Sequence, residues 1–200
     1  MSLLDAGRDV RLTVLSILTL LLGLPLSSCT APDPKTRVER RYAVHSFGFD
    51  ATQDSPDIEI LDYQYGGTNE HGVRACPIHR SKCTIVPQAV GTYGDMEVGN
   101  HLYVKWRIKS TDEIVDDVVD LRRRLPLDMR RQRVYFVVSG KVLSVFLIGP
   151  DPLPRNPCPP RTELEKFNRS TQAIDKVFST YCYRPISTLY PEERVDGQLE

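Results

Sequence analysis

An apolar run from Leu12 to Leu26, broken by Thr13, Ser16, Thr19 and Gly23, constrains this chain more than any other feature. Arg8 and Arg11 precede the run, the small residues Ser27 and Ser28 follow it, and Cys29 comes next. A positive start, a short apolar core and small residues at a cut site make an export signal. The core, about 15 residues, falls short of the ~20 that a bilayer-spanning helix needs. The folded part is therefore expected to begin after Ser28. Taking residues 1–28 from 200 leaves 172, which suits one domain with a sizeable core.

Leu26-Ser27-Ser28-Cys29 resembles the lipobox of bacterial lipoproteins. That resemblance implies a signal peptide over 1–28, acylation of the Cys29 thiol, and a new N-terminus at Cys29. Acyl chains then hold the protein to the membrane by burying methylenes, at ~0.8 kcal/mol each. Residue 30 is Thr rather than Asp; by the same resemblance, an Asp there would mark retention in the inner membrane. The expected location is thus the periplasm, anchored to the outer membrane. Residues 29–41, with Pro32, Pro34 and a run of charges, read as a flexible tether, and 42–200 as a single domain.

The oxidising periplasm gives meaning to the other cysteines. Cys76, Cys83, Cys158 and Cys182 are even in number, and two disulfides are the default in an exported chain. His71, Cys76, His79 and Cys83 crowd together, which allows a zinc alternative, but their spacing is no regular finger pattern. No metal or cofactor is expected. The close neighbours Cys76 and Cys83 suggest one bridge and leave Cys158–Cys182 as the other. Charge is balanced, so any charge-driven partner must read a local patch. Lys+Arg and Asp+Glu both number 26, and removing Arg8, Arg11, Asp5 and Asp9 leaves 24 of each. No global field draws this chain to nucleic acid.

Hydropathy patterns predict an α+β domain, mainly antiparallel β-sheet with one or two flanking helices. Tyr42–Phe49 and Ile58–Tyr63 read as strands, with His45 a solvated or satisfied side chain. A loop over Tyr65–Asn69 follows, its paired glycines permitting positive φ. In His101–Lys109, Leu102, Val104, Trp106 and Ile108 alternate with Tyr103, Lys105, Arg107 and Lys109, the pattern of a strand with one wet face. Ser110 with Glu113 makes a capping box, and Ile114, Val118, Leu121 and Leu125 follow at helical spacing. Acidic residues come first there and Arg122, Arg123 and Arg124 last, which suits a helix dipole. The valines also allow a strand. Val134–Ile148 reads as a hairpin turning at Ser139-Gly140-Lys141, its second arm central in the sheet.

Thr162 and Glu165 form a second capping box, opening a helix that places Leu164, Phe167, Ile174, Phe178 and Tyr181 on one face. An unbroken helix from 162 to 181 would be about 30 Å long, whereas a Cys158–Cys182 bridge needs Cα atoms within roughly 7 Å. A break at Asn168-Arg169-Ser170-Thr171 would remove the conflict. Tyr183–Pro191 suits an edge strand, since its prolines bar it from a sheet centre.

No Gly-x-Ser-x-Gly elbow, His-Glu-x-x-His, Walker loop or dinucleotide fingerprint is present. The odds therefore move from an enzyme to a binding protein. The order of Val98–Arg107, Val119–Pro126, Val134–Ile148 and Leu189-Tyr190-Pro191 after a lipobox is similar to periplasmic immunity lipoproteins of type VI secretion phospholipase effectors. The likeness is closest over residues 95–150. It implies a non-enzymatic protein that binds a secreted lipase and occludes its active site or its membrane-facing surface. A structural or assembly lipoprotein of an envelope or secretion complex is the alternative. Candidate contact residues are Tyr103, Arg107, Arg122, Arg123 and Arg124. The acidic face of Asp112, Glu113, Asp116 and Asp117 is a second candidate, and Tyr63 and Tyr65 are loop candidates.

Overall fold

Alternating apolar side chains build two sheets that close on one core. The computed structural model describes residues 40–67, 72–76, 85–153 and 158–191. Cys29, the signal expected over 1–28 and the tether expected from Cys29 on, through Glu39, lie outside the described residues, as do His71, His79 and Cys83. The first sheet, A, contains β1 (Tyr42–Asp50), β4 (Ala89–Glu97), β7 (Arg133–Ser139), β8 (Val142–Ile148) and β9 (Ile186–Tyr190), in the order β4-β1-β7-β8-β9. The second, B, contains β2 (Ile58–Tyr65), β3 (Val73–Arg74), β5 (His101–Ile108) and β6 (Glu113–Asp120), in the order β3-β2-β5-β6. All pairings are antiparallel except β1 with β7. Three helices complete the described fold: α1 (Ala51–Asp54), α2 (Arg161–Arg169) and α3 (Ala173–Tyr181). The α+β architecture read from the patterns is the one observed.

The inner faces of A and B share a core of aromatic and β-branched side chains. Phe47 stacks on Tyr65 at 4.9 Å and Phe49 on Phe136 at 4.5 Å, while Tyr63 meets Phe49 edge-on at 5.0 Å. Such pairs add about 0.5–1.5 kcal/mol to their burial. Leu102, Val104, Trp106 and Ile108 all point into this core, as their alternation requires. Trp106 also donates its indole N–H to the Gly140 carbonyl at 2.9 Å, tying sheet B to the β7–β8 turn. Gly140 sits at φ +57°, where a side chain would be strained. His45 is fully buried rather than solvated: Nδ1 lies 2.8 Å from the Ala43 carbonyl and Nε2 3.0 Å from the Tyr65 hydroxyl.

The stretch after β5 is the main departure from expectation. It forms strand β6, not a helix. Lys105 pairs with Asp116 and Trp106 with Val115 across eight antiparallel positions. Ser110 does not cap: the Asp57 carboxylate accepts both its N–H, at 3.0 Å, and its hydroxyl, at 2.6 Å. Asp112, at φ +56°, closes the β5–β6 turn. Once that turn is fixed, the β-branched Ile114, Val115, Val118 and Val119 favour the extended form.

A second apolar cluster lies on the outer face of sheet A, where Val177 of α3 packs with Tyr135, Val137, Phe146 and Ile148. The helical stretch does break, at Ser170, whose backbone is extended. Phe167 then meets Phe178 at 5.0 Å between the two helices. The folding back brings the Cα atoms of Cys158 and Cys182 to 5.5 Å, and the pair is disulfide-bonded. Cys76 is disulfide-bonded too. The second capping box does not form, because Pro160 is the N-cap and α2 has no side-chain cap. Ile174 is 38% exposed, and Val177 instead is the fully buried apolar residue of α3. β9 is the expected edge strand, while β8 lies one strand in from the edge and β7 takes the centre.

Candidate protein-binding surface

The outer face of sheet B collects residues from three strands into one open surface. Register aligns Glu59, Arg107 and Ile114 in one row, Asp62, Lys105 and Asp116 in the next, and Gln64, Tyr103 and Val118 in a third. Alternation sends these residues outward because their neighbours fill the core. Ile114 and Val118 are 51% and 60% exposed. They lie on strand β6 at the sheet's edge, with Tyr103 opposite Val118. An apolar pair and a tyrosine framed by charges is the composition of an interface centre with a polar rim.

The charges on this face hold one another in place. Arg107 donates to Glu59 at 3.2 Å, and its Nε lies 3.2 Å from a carboxylate oxygen of Asp112. Both pairs are solvent-screened and contribute little to stability. Partial burial, then the charges of Asp116 and Asp62, push the Tyr103 phenol above its ordinary pKa. Tyr103 therefore keeps its proton at neutral pH and can donate a hydrogen bond.

The structure brings together Tyr103, Arg107, Asp112 and Asp116, and separates the other candidates. The expected acidic helix face is split by the strand. Asp116 faces outward, whereas Asp117 turns to the opposite side and accepts from the Tyr190 hydroxyl at 2.9 Å. Glu113, on that same side, pairs with Lys141 at 2.7 Å. Arg122 is bound to the Asp120 carboxylate, lowering that acid's pKa, and Arg123 is exposed. Arg124 is a strap across the two sheets' edges, donating to the carbonyls of Asp120 at 2.9 Å and Leu189 at 2.6 Å. These arginines occupy a turn after β6 rather than a helix end.

Tyr63 and Tyr65 are not loop anchors. They belong to β2, with exposures of 3% and 0%, and no partner reaches them without opening the core. Burial, followed by the Asp62 charge, pushes the Tyr63 pKa up to about 12. Ile114 and Val118, in contrast, were expected inside and are outside. Their parity relative to Val115 and Val119 is the signal that a strand reading would have used.

A second concave region lies on the opposite side of the domain, over sheet A. Ser46, Tyr93, Arg131, Arg133, Tyr181 and Arg184 are among the residues around a hollow of about 280 Å³. Arg133 and Tyr181 also border a neighbouring hollow of about 300 Å³ that contains Asp50 and Asp54. Asp54 accepts the Tyr135 hydroxyl at 2.7 Å, and burial raises its carboxyl pKa. Among the described residues, no cluster of three or more His, Cys, Asp or Glu side chains is arranged to hold a metal. No described helix is long and apolar enough to cross a membrane.

Comparison with known proteins finds no matching family model, no matching curated protein and no matching solved structure.

Proposed function

We propose that this chain is an immunity lipoprotein that binds and neutralises a type VI secretion phospholipase toxin in the periplasm, without chemistry of its own. The observation that carries the reading is the open face of sheet B. Ile114 and Val118 expose large apolar side chains on a sheet edge beside Tyr103, within a frame of paired charges. Two exposed apolar side chains beside a tyrosine give a protein partner an apolar centre to cover, with charges as its rim. The Leu26-Ser27-Ser28-Cys29 signal supports the same reading, because a lipid anchor at the outer membrane holds the domain where a phospholipase would attack.

In this account the sheet face covers the toxin's active-site mouth or its lipid-facing surface, and inhibition is steric. Tyr103 and Arg107 are the anchor types that dominate such interfaces, and Ile114 and Val118 supply the area that excludes water around them. Protection requires a complex that outlasts the toxin's encounter with membrane. That means nanomolar affinity, about −12 kcal/mol.

The experiment expresses the lipase effector from the same locus in the periplasm, with and without this chain. Survival should require the exported, lipid-anchored form, and purified chain should inhibit the lipase at a one-to-one ratio. If the chain binds no lipase from its locus, the reading fails and an envelope-assembly role takes its place.

A further inference from the structure

We propose that the hollow over sheet A binds a phosphate group, carried either by free phosphate or by a phospholipid headgroup. The inference is independent of lipase neutralisation. Its basis is the convergence of Arg131, Arg133 and Arg184 on one concavity whose described lining residues include no carboxylate. Tyr93, Tyr181 and Tyr183 complete the walls, and Ile148 contributes an apolar patch.

Two of the three guanidinium groups are held before any ligand arrives. Arg133 donates through Nη1 to the Tyr181 hydroxyl at 3.0 Å and lies 5.5 Å from the centre of that ring. Arg184 donates through Nη1 to the carbonyls of Gly149, at 3.1 Å, and Pro150, and lies 5.4 Å from the Tyr183 ring. Neither contact neutralises charge, since a hydroxyl, a carbonyl and a ring face are all uncharged. Arg131 has Asp151 3.7 Å from its Nη1, in a pair whose side chains are 69% and 74% exposed. Solvent screens that pair.

All these contacts use Nη1. A guanidinium carries five N–H donors in a planar fork, so Nε and Nη2 of each arginine remain for another acceptor. Three like charges around one hollow repel, and an anion between them relieves the repulsion. Forks approaching from separate elements suit a tetrahedral oxyanion better than a planar carboxylate: Arg131 precedes β7, Arg133 opens it and Arg184 follows α3. Arginine matches phosphate bidentately, which a lysine at these positions would not. Tyr93 and Tyr183, 66% and 40% exposed, place amphipathic rings beside the hollow, as suits residues that meet lipid headgroups.

The test is calorimetric titration of the purified full chain in non-ionic detergent. The probes are inorganic phosphate and dioctanoyl phosphatidylglycerol, with acetate as the control anion. Saturable one-to-one binding of phosphate, absent for acetate, is the expected result. Phosphatidylglycerol binding at least tenfold tighter than phosphate identifies the headgroup as the source, and equal or weaker binding identifies free phosphate. Arg131→Gln alters an exposed side chain and should weaken binding about tenfold, the loss of a charge-assisted contact. Arg133→Gln should do the same, with the far-UV spectrum checking that the fold survives the loss of the Tyr181 contact. Neither probe binding, acetate binding as well as phosphate, or unchanged affinity in Arg131→Gln and Arg133→Gln together would overturn the proposal.

Discussion

Replacing both Cys158 and Cys182 by Ala removes the bridge that closes the α2–α3 hairpin. The two residues are separated by 24 positions. Loop-closure entropy for a loop of that size gives about 3.5 kcal/mol at 25 °C. The bridge should act on the whole domain, because α3 completes the second apolar cluster through Val177 and cannot detach without baring Tyr135, Val137, Phe146 and Ile148. For a domain of this size, each kcal/mol shifts Tm by roughly 2–4 °C, so a fall of about 7–14 °C is expected. In guanidinium chloride, with m about 4 kcal/mol/M, the midpoint should drop by about 0.9 M. The double variant is preferable to a reductant, which would also break the disulfide at Cys76. Trp106, the single tryptophan, is fully buried between the sheets and reports the sandwich by fluorescence, while far-UV circular dichroism reports the backbone as a whole. Coincident transitions at the lower midpoint support the reasoning. A loss below about 1 kcal/mol, or a helical transition well before the fluorescence change, refutes the idea that this hairpin braces the fold.

Burial lowers the pKa of His45 below its ordinary 6.5, against weaker opposing effects of the Ala43 carbonyl and Asp95. The unfolded chain therefore takes up the proton first as pH falls. The His45 contribution is full above pH 6.5 and is lost below it, by up to ~1.4 kcal/mol per pH unit, until the folded value is reached. Asp54, whose pKa is raised, works in the opposite sense, favouring folding below 3.8 and losing that contribution as pH rises through its folded value. Urea midpoints of His45→Gln and the parent chain, compared from about pH 7.5 to 5.5, isolate the histidine; a parent slope no steeper than the variant's would contradict its buried, neutral state. Tyr135→Phe removes the donor to the buried Asp54 carboxylate and should cost about 1–3 kcal/mol, with Tyr135→Phe/Asp54→Leu recovering part of it; a single-variant loss under 0.5 kcal/mol would count against the contact. Val118→Lys on the exposed sheet edge should leave stability within about 0.5 kcal/mol yet weaken lipase binding more than tenfold, a change of about 1.4 kcal/mol.

The clearest strands were legible because their patterns admit one solution. His101–Ile108 alternates without exception, and Val134–Ile148 has two β-rich arms around a glycine turn. The 110–125 stretch admits two solutions. Ile114-Val115 and Val118-Val119 are doublets, so Ile114, Val118, Leu121 and Leu125 satisfy a helical period while Val115, Asp117 and Val119 satisfy an alternating one. What decides between them is pairing with β5 and the capture of Ser110 by Asp57, which comes from a turn more than fifty residues away. Local pattern carries no trace of that contact. β4 is illegible in the sequence for a different reason: Gly91 and Gly94 interrupt its side-chain alternation, and it is an edge strand with one neighbour. Tyr65 shows the reverse error. The following glycines suggested a loop, but His45 and Phe47 draw the ring into the core.

The site was less legible than the fold because exposure depends on which face of a strand is covered. Tyr103 and Arg107 were readable from alternation alone. Ile114 and Val118 were not, since their type argues for burial and only the strand's parity puts them outside. The arginines over sheet A come from before β7, from within it and from after α3, and no sequence spacing joins them.

The central claim is that the open face of sheet B meets a lipase. Hydroxyl-radical footprinting of the chain, free and in complex with the lipase effector, tests it most directly, because Tyr103, Ile114 and Val118 lie on that face and Tyr93 and Tyr183 lie over sheet A. Tyr103, Ile114 and Val118 should lose reactivity on binding while Tyr93 and Tyr183 keep theirs. Protection of Tyr93 and Tyr183 with Tyr103, Ile114 and Val118 unchanged, or no complex at all, would contradict it.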